Sequence, residues 1–379
     1  MNEQNNTMAT RLGALRSLAK LSQADLGRSM GVSPSLISHW EAGTRTPSQV
    51  QLMNLCRHLG ISLDYLLNET VRPVFSFRAR ATLKADQQAA VNRALIDASE
   101  QTYFIEAILR MANKPVQAFG LKADFSFPQV SSLANTFRET LKLNKRATLE
   151  ELKHALAEWG INVFEWALPY QISGMSYRGA LTVIFINRHH DATRRLFTLA
   201  HELAHVIFHL GRGTEGETSI SEIASNRDPL EKEANRFASE FLIPERELRA
   251  VVQTFGDRLD DPSVMEAVAR SFHVSRDAVF YRLADLGFCD WKDSRKYFTR
   301  HEEQPGSELR VTKIEEQVPG NLLETALALY FNERVSSAKL AEWFFTSRLH
   351  IDEYLFALGE DQDNTLAESA NGHDGNTGS

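Results

Sequence analysis

The sequence predicts a mainly α chain with a small α+β part, divided into several domains. Short amphipathic helices with clear stops fill residues 10–68, 262–287 and 321–355. β-rich stretches cluster only between residues 161 and 186, directly ahead of an apolar helix. A chain of 379 residues is long enough for two or three separate cores.

Composition bounds the class. With 43% hydrophobic and 24% charged residues the chain reads as ordinary soluble globular protein. Its apolar runs, such as Leu181 to Ile186, are far too short to span a bilayer, so no membrane partner is expected. The polar start from Met1 to Thr7 has no apolar signal core, and Cys56 and Cys289 make neither a metal spacing nor a disulfide framework. These features point to the cytoplasm. Charge is uneven: through Lys84 ten basic side chains face five acidic ones, a net +5, and with −7 overall the remainder carries −12. A basic front end on an acidic body suits a nucleic-acid module joined to something else.

The first helix holds Leu12, Leu15 and Leu18 and ends near Lys20. Ser22-Gln-Ala-Asp25 is a capping-box pattern with Asp in the place of Glu, and it opens a helix over Gln23 to Met30 that Gly31 stops. Ser33 caps a third helix with Pro34 at its first position, burying Leu36, Ile37 and Trp40 and leaving Ser35, Ser38 and His39 outward. Two further helices carry Val50, Leu52, Leu55 and Leu59, then Ser62 to Leu67. From Leu21 to Pro47, and again from Leu59 to Leu67, the residues resemble the phage-repressor (XRE-type) helix-turn-helix family. The resemblance implies that Gln23 meets a DNA phosphate and that Ser33, Ser35 and His39 face bases of a double-stranded operator. Arg45, in the loop after the recognition helix, would add a phosphate contact. Pro34 stands where some relatives place a base-reading side chain, so no operator sequence carries over.

Residues from Val71 onward read as an aromatic and basic linker followed by helix-rich chain. Thr148 and Glu151 form a second capping box. Ile161 to Trp166, Ile172 to Tyr177 and Leu181 to Ile186 then read as strands of a short antiparallel sheet. Next comes Phe197-Thr-Leu-Ala-His-Glu-Leu-Ala-His-Val-Ile-Phe-His209. His201 and His205 are four apart, so both imidazoles leave one helix face and can bind one Zn²⁺, with Glu202 beside them as general base. The remaining faces are apolar, so the helix should be buried with its ligands toward a cleft. A polar loop from Gly211 to Asp228 leads to an amphipathic helix from Pro229 to Pro244, which offers Glu231, Glu233 and Glu240 as a third ligand. Glu233 lies four before Phe237 and borders the apolar face, so it is preferred, with Glu231 next.

Residues Arg195 to His209, followed by Glu231 to Pro244, resemble the ImmA/IrrE metallopeptidase family, with Ala204 where members usually carry Gly. The resemblance implies His201 and His205 as zinc ligands, Glu202 as catalytic base and Glu233 as third ligand. It also implies a repressor-like DNA-binding protein as substrate. His209 reads as a supporting residue, because a long zinc motif would place its third histidine at position 211, which is Gly. His189 and His190 read as surface histidines in a turn.

The two resemblances together imply a five-helix repressor-like DNA-binding domain over 1–70 and a linker and helical connector over 71–144. A zincin-like metallopeptidase domain is expected over 145–250, a helical region with helix-turn-helix-like segments over 251–358, and a disordered tail over 359–379. The expected function is transcriptional regulation by a DNA-binding protein with a zinc-dependent endopeptidase; a homodimer is compatible with it. The alternative keeps the peptidase fold as a sensor or dimer scaffold without turnover. Self-cleavage in the linker from Val71 to Lys84 is a further option.

Overall fold

The computed structural model describes residues 3–67, 85–115, 129–144, 146–170, 172–179, 181–210, 217–222, 229–255, 261–290 and 314–371. The chain is mainly α with a small sheet, and it divides into two compact units. The first comprises 1–103 and 116–320, the second 104–115 and 321–379. The expected linker from Val71 to Lys84 lies outside the described residues.

The first unit begins with five helices: α1 (Glu3–Leu18), α2 (Gln23–Met30), α3 (Pro34–Glu41), α4 (Gln49–Leu59) and α5 (Leu63–Leu67). The capping box at Ser22 and Asp25 forms as read, and Gly31 ends α2 at φ 67°. Gly27 is needed for the tight approach of the turn: a Cβ there would lie 2.8 Å from the Val32 carbonyl oxygen. Leu12, Leu15, Leu26, Ile37, Trp40, Leu55 and Tyr65 are fully buried between the helices. Arg11, also buried, donates to the carbonyls of Tyr65 and Leu66 and so closes α1 on α5. Glu41 accepts from Arg16 and from Gln23, the latter at 2.8 Å.

Helix α6 (Ala85–Met111) follows, and its first part is bound to the five-helix group rather than acting as a loose connector. Arg93 donates to the Leu59 and Gly60 carbonyls at 2.8 and 2.7 Å, capping the end of α4. Glu100 accepts from the Ser62 backbone N–H at 2.7 Å, at the start of α5.

Helices α7 (Val130–Thr140) and α8 (Leu149–Glu158) precede three strands, β1 (Ile161–Trp166), β2 (Ile172–Arg178) and β3 (Thr182–Asn187). A fourth strand, β4 (Glu217–Glu222), completes a sheet of order β1-β3-β2-β4. Two expectations are corrected here. The sheet is mixed, because β1 runs parallel to β3 while β2 is antiparallel to both β3 and β4. β3, Thr-Val-Ile-Phe-Ile-Asn, is buried at every position, and such a two-sided strand belongs inside a sheet; it inserts between β1 and β2. The supposed loop from Gly211 to Asp228 supplies β4, whose Glu-Thr-Ser-Ile-Ser-Glu sequence hides an edge strand because backbone pairing needs no apolar pattern.

Helix α9 (Ala192–Ala204) starts at the Asp191 cap, whose carboxylate accepts from the Arg194 N–H at 2.9 Å. It packs across β2 and β3 and against α10 (Pro229–Leu242). Glu165 on β1, buried, pairs with Lys153 of α8 at 3.1 Å and with Arg195 of α9, fixing the helix to the sheet. Beyond α9 lie α11 (Glu245–Phe255), α12 (Pro262–Ser271), α13 (Arg276–Asp285) and a short α14 (Ile314–Gln317). One apolar core runs from α7 through α9 and α10 to Val268, Phe272, Val279 and Leu283. The helix-turn-helix-like pair α12 and α13 is thus part of the same core as the sheet helix, and the expected break at residue 250 is not a packing boundary.

In the second unit, α15 (Gly320–Phe331), α16 (Ser337–Trp343) and α17 (Arg348–Asn371) bury Leu322, Ala326, Leu340, Trp343 and Ile351. Phe104 meets Phe345 edge-on at 5.8 Å between ring centroids, and Lys114 donates to the Thr325 hydroxyl at 2.7 Å. α17 continues through Asn371, where the sequence suggested a tail without structure from 359. Residues 359–371 contain one glycine and no proline, so nothing local stops the helix.

Candidate functional site

The site is built on α9 and its extension. After Ala204 the helix widens into one π turn over His205–His209, closed by Leu210 N–H donating to the His205 carbonyl at 2.8 Å. Such turns cost regular hydrogen bonds and recur at functional sites. Here Arg178 of β2, buried, donates to the Val206 and Leu210 carbonyls that the wider register leaves over.

His201 and His205 face each other, Nε2 to Nε2, at 3.1 Å. The carboxylate that reaches them belongs to Glu231, with Oε2 3.2 Å from His201 Nε2 and Oε1 3.3 Å from His205 Nε2. These three are the group among the described residues that could hold a metal ion. Glu233, expected as the third ligand, stands outside this group: its Oε2 lies 3.1 Å from His209 Nε2. The reason is helical phase. Glu231 shares its face with Ala234 and Ala238, both fully buried, whose small side chains let α9 and α10 approach closely. Glu233 shares its face with Phe237, on the side toward the π turn. Glu240, the remaining candidate, is buried and accepts from Arg282 of α13 at 2.7 Å, and it takes no part.

The triangle fits zinc. Donor atoms bound tetrahedrally at about 2.0–2.1 Å stand roughly 3.3 Å apart; the two imidazole nitrogens are 3.1 Å apart, and each lies 3.2 or 3.3 Å from its own oxygen of the Glu231 carboxylate. Two imidazoles and one carboxylate are the donor set of hydrolytic zinc, with a fourth position left for substrate or water. Burial pushes the His205 imidazole down to about 4, and the nearby His201 adds to this against Glu231, so His205 is neutral as a ligand must be. Burial opposes ionisation of Glu231, but its close contacts with the His201 and His205 imidazoles outweigh it and hold its carboxyl down to about 2. Burial also disfavours charge on His201, yet Glu231, Glu202 and Asn235 together raise it. The centre therefore attracts one positive charge, whether a proton on His201 or a cation among the three groups.

Glu202 is fully buried and turned toward β2, where the Ser176 hydroxyl donates to its Oε2 at 2.8 Å. Gly174 makes the room: a Cβ there would stand 2.7 Å from Thr198 Cγ2 and 2.9 Å from Glu202 Cγ. Asn235 Oδ1 accepts from His201 Nδ1 at 2.9 Å, which leaves the His201 Nε2 lone pair directed at the triangle. Ser176, Gly174, Arg178 and Asn235 were not singled out in the sequence. Asn235 alone had a local signal, standing four residues after Glu231 on the same face. His189 is exposed, but His190 is buried beside Tyr170, its Nε2 3.0 Å from the Tyr170 carbonyl oxygen, and is not a surface histidine.

In the N-terminal helices Ser33, Ser35, His39 and Arg45 are exposed on α3 and the loop after it. Gln23 is half-buried and engaged by Glu41. His39 Nδ1 lies 2.9 Å from the Thr44 hydroxyl.

Comparison with known families places two matches on these two regions. Residues 12–66 match the helix-turn-helix family model, and residues 157–284 match that of the IrrE N-terminal-like domain, a peptidase family. The chain thus carries, in this order, a segment similar to XRE-type helix-turn-helix domains and a segment similar to IrrE-like peptidase domains. The second match ends inside α13, in agreement with the core that joins α12 and α13 to α9 and α10. No curated protein matches the chain. Among the described residues no helix is long and apolar enough to cross a membrane.

Proposed function

We propose that this chain is a DNA-binding transcriptional regulator carrying a zinc-dependent endopeptidase, with His201, His205 and Glu231 as ligands and Glu202 as general base. The convergence of the two imidazole nitrogens, 3.1 Å apart, on the carboxylate of Glu231 at 3.2 and 3.3 Å is the observation that carries the reading. Zinc, when bound, polarises the scissile carbonyl and makes an attacking water acidic near neutral pH. Glu202 takes that water's proton on a carboxylate oxygen and returns it to the leaving amine, while Ser176 holds the carboxylate in place. Asn235 keeps His201 in the tautomer that ligates. β4 is an edge of the sheet next to β2, the strand that supplies Ser176, so its outer backbone offers an extended peptide strand pairing near the site. Exposed Ser33, Ser35, His39 and Arg45 serve operator DNA, and DNA binding brings the peptidase to a repressor-like protein substrate in the cytoplasm.

The test is fragment analysis. The purified zinc-loaded chain is incubated with a small repressor-like helix-turn-helix protein, alone and with chelator, beside Glu202→Gln. Fragments of the partner or of the chain's own linker, lost with chelator and in Glu202→Gln, support the reading. Absence of every fragment contradicts turnover and leaves the peptidase fold as a sensor or scaffold.

A further inference from the structure

We infer that His209 and Glu233 form an outer relay that fixes the metal-binding tautomer of His205, so that Glu233 serves the metal centre at one remove. The inference rests on the zinc reading above and deepens it. Three contacts stand in series. Glu233 Oε2 is 3.1 Å from His209 Nε2, His209 Nδ1 is 2.9 Å from His205 Nδ1, and His205 Nε2 faces Glu231 and His201. The rings of His205 and His209 lie 4.8 Å apart between centroids, and both side chains are buried.

Chemistry dictates the direction of every hydrogen bond in this series. An ionised carboxylate only accepts, so His209 donates through Nε2–H to Glu233. Neutral His209 then has a lone pair on Nδ1, which accepts. The facing His205 Nδ1 must therefore carry the hydrogen, and its Nε2 is left with the lone pair a metal needs. The opposite tautomer would place N–H on Nε2, aimed into the triangle, and would block ligation. The π turn contributes by bringing His209 over His205 while its carbonyls are held by Arg178. Asn235 does the same for His201 in one step, so each imidazole ligand has its own orienting partner on α10. Glu231, Glu233 and Asn235 thereby divide three tasks along five residues: ligand, relay and orienter.

Two variants test this: Glu233→Gln, isosteric with the native side chain, and His209→Phe, which removes both ring nitrogens. Zinc affinity is measured by competition with a chromophoric chelator. We expect a loss of about 10-fold for Glu233→Gln, which keeps a neutral acceptor, and up to about 100-fold for His209→Phe, the range seen when outer partners of metal ligands are removed. The double variant should lose no more than His209→Phe alone, because both act through one path. ¹H–¹⁵N imidazole spectra of the zinc-loaded chain should show His205 protonated at Nδ1 and His209 at Nε2. A wild-type chain that binds zinc while His209→Phe binds it equally tightly overturns the relay, as does a wild-type His209 protonated at Nδ1. A wild-type chain that binds no zinc overturns the metal reading instead.

Discussion

The Ser176 hydroxyl donates to Glu202 across 26 positions of sequence, at 2.8 Å, and ties the proposed base to the sheet. Two residues earlier on β2, Gly174 leaves the space in which the Glu202 side chain lies. Gly174→Val should displace Glu202 and Thr198 and destabilise the chain by about 1–3 kcal/mol, the usual cost of overpacking. Ser176→Ala should keep fold and zinc but reduce cleavage, by less than the roughly 10²–10⁴-fold that loss of a general base costs. Denaturant melts and cleavage rates of both variants check this.

Arg282 of α13 is fully buried with both nitrogens on Glu240 of α10, and its Nε donates to the Ile243 carbonyl at 3.2 Å. Arg282→Met leaves the buried Glu240 carboxylate with Arg236, 2.8 Å away, as its remaining cation and should cost up to about 3 kcal/mol. Adding Glu240→Leu removes the under-paired buried charge, while Arg236 keeps Asp285, and should recover part of the loss. Urea midpoints of the single and double variants measure it.

Burial beside Glu100 pushes the Cys56 thiol up to about 11. The thiolate is the reactive form, so at pH 8 only about one part in 10³ is reactive. Alkylation of Cys56 in the native chain should therefore be slow at pH 8 and quicken as pH rises toward 11, whereas in urea it should proceed at the rate of a free thiol. Peptide mass mapping after timed labelling follows this site apart from Cys289.

Arg45 is exposed in the loop after α3. Arg45→Ala should weaken DNA binding to all sequences alike and lower the slope of log K against log salt by about one, as for the loss of one phosphate contact. Fluorescence anisotropy on duplexes at several salt concentrations reads this slope.

Local features of the fold were legible in the sequence. Ser22 with Asp25, Ser33 with Pro34 and Thr148 with Glu151 cap their helices where their spacing says they should, because a cap is made within four residues. That His201 and His205 share one helix face was legible for the same reason. Which carboxylate of α10 stands beside them was not, because that depends on which part of α10 meets α9. The preference for Glu233 followed the large Phe237; the carboxylate beside the imidazoles belongs instead to Glu231, in phase with the buried Ala234 and Ala238. β4 was hidden because an edge strand is held by backbone pairing to β2 and needs no hydrophobic alternation. Ser176, Gly174 and Arg178 act on residues far along the chain, and nothing in their own neighbourhood announces it.

The most direct measurement is zinc content per chain, by atomic absorption after dialysis, for the wild type, Glu231→Ala and Glu233→Ala. The geometry predicts one zinc in the wild type, none in Glu231→Ala, and retained zinc, more easily stripped by chelator, in Glu233→Ala. Zinc kept in Glu231→Ala and lost in Glu233→Ala, or absent from the wild type, would contradict it.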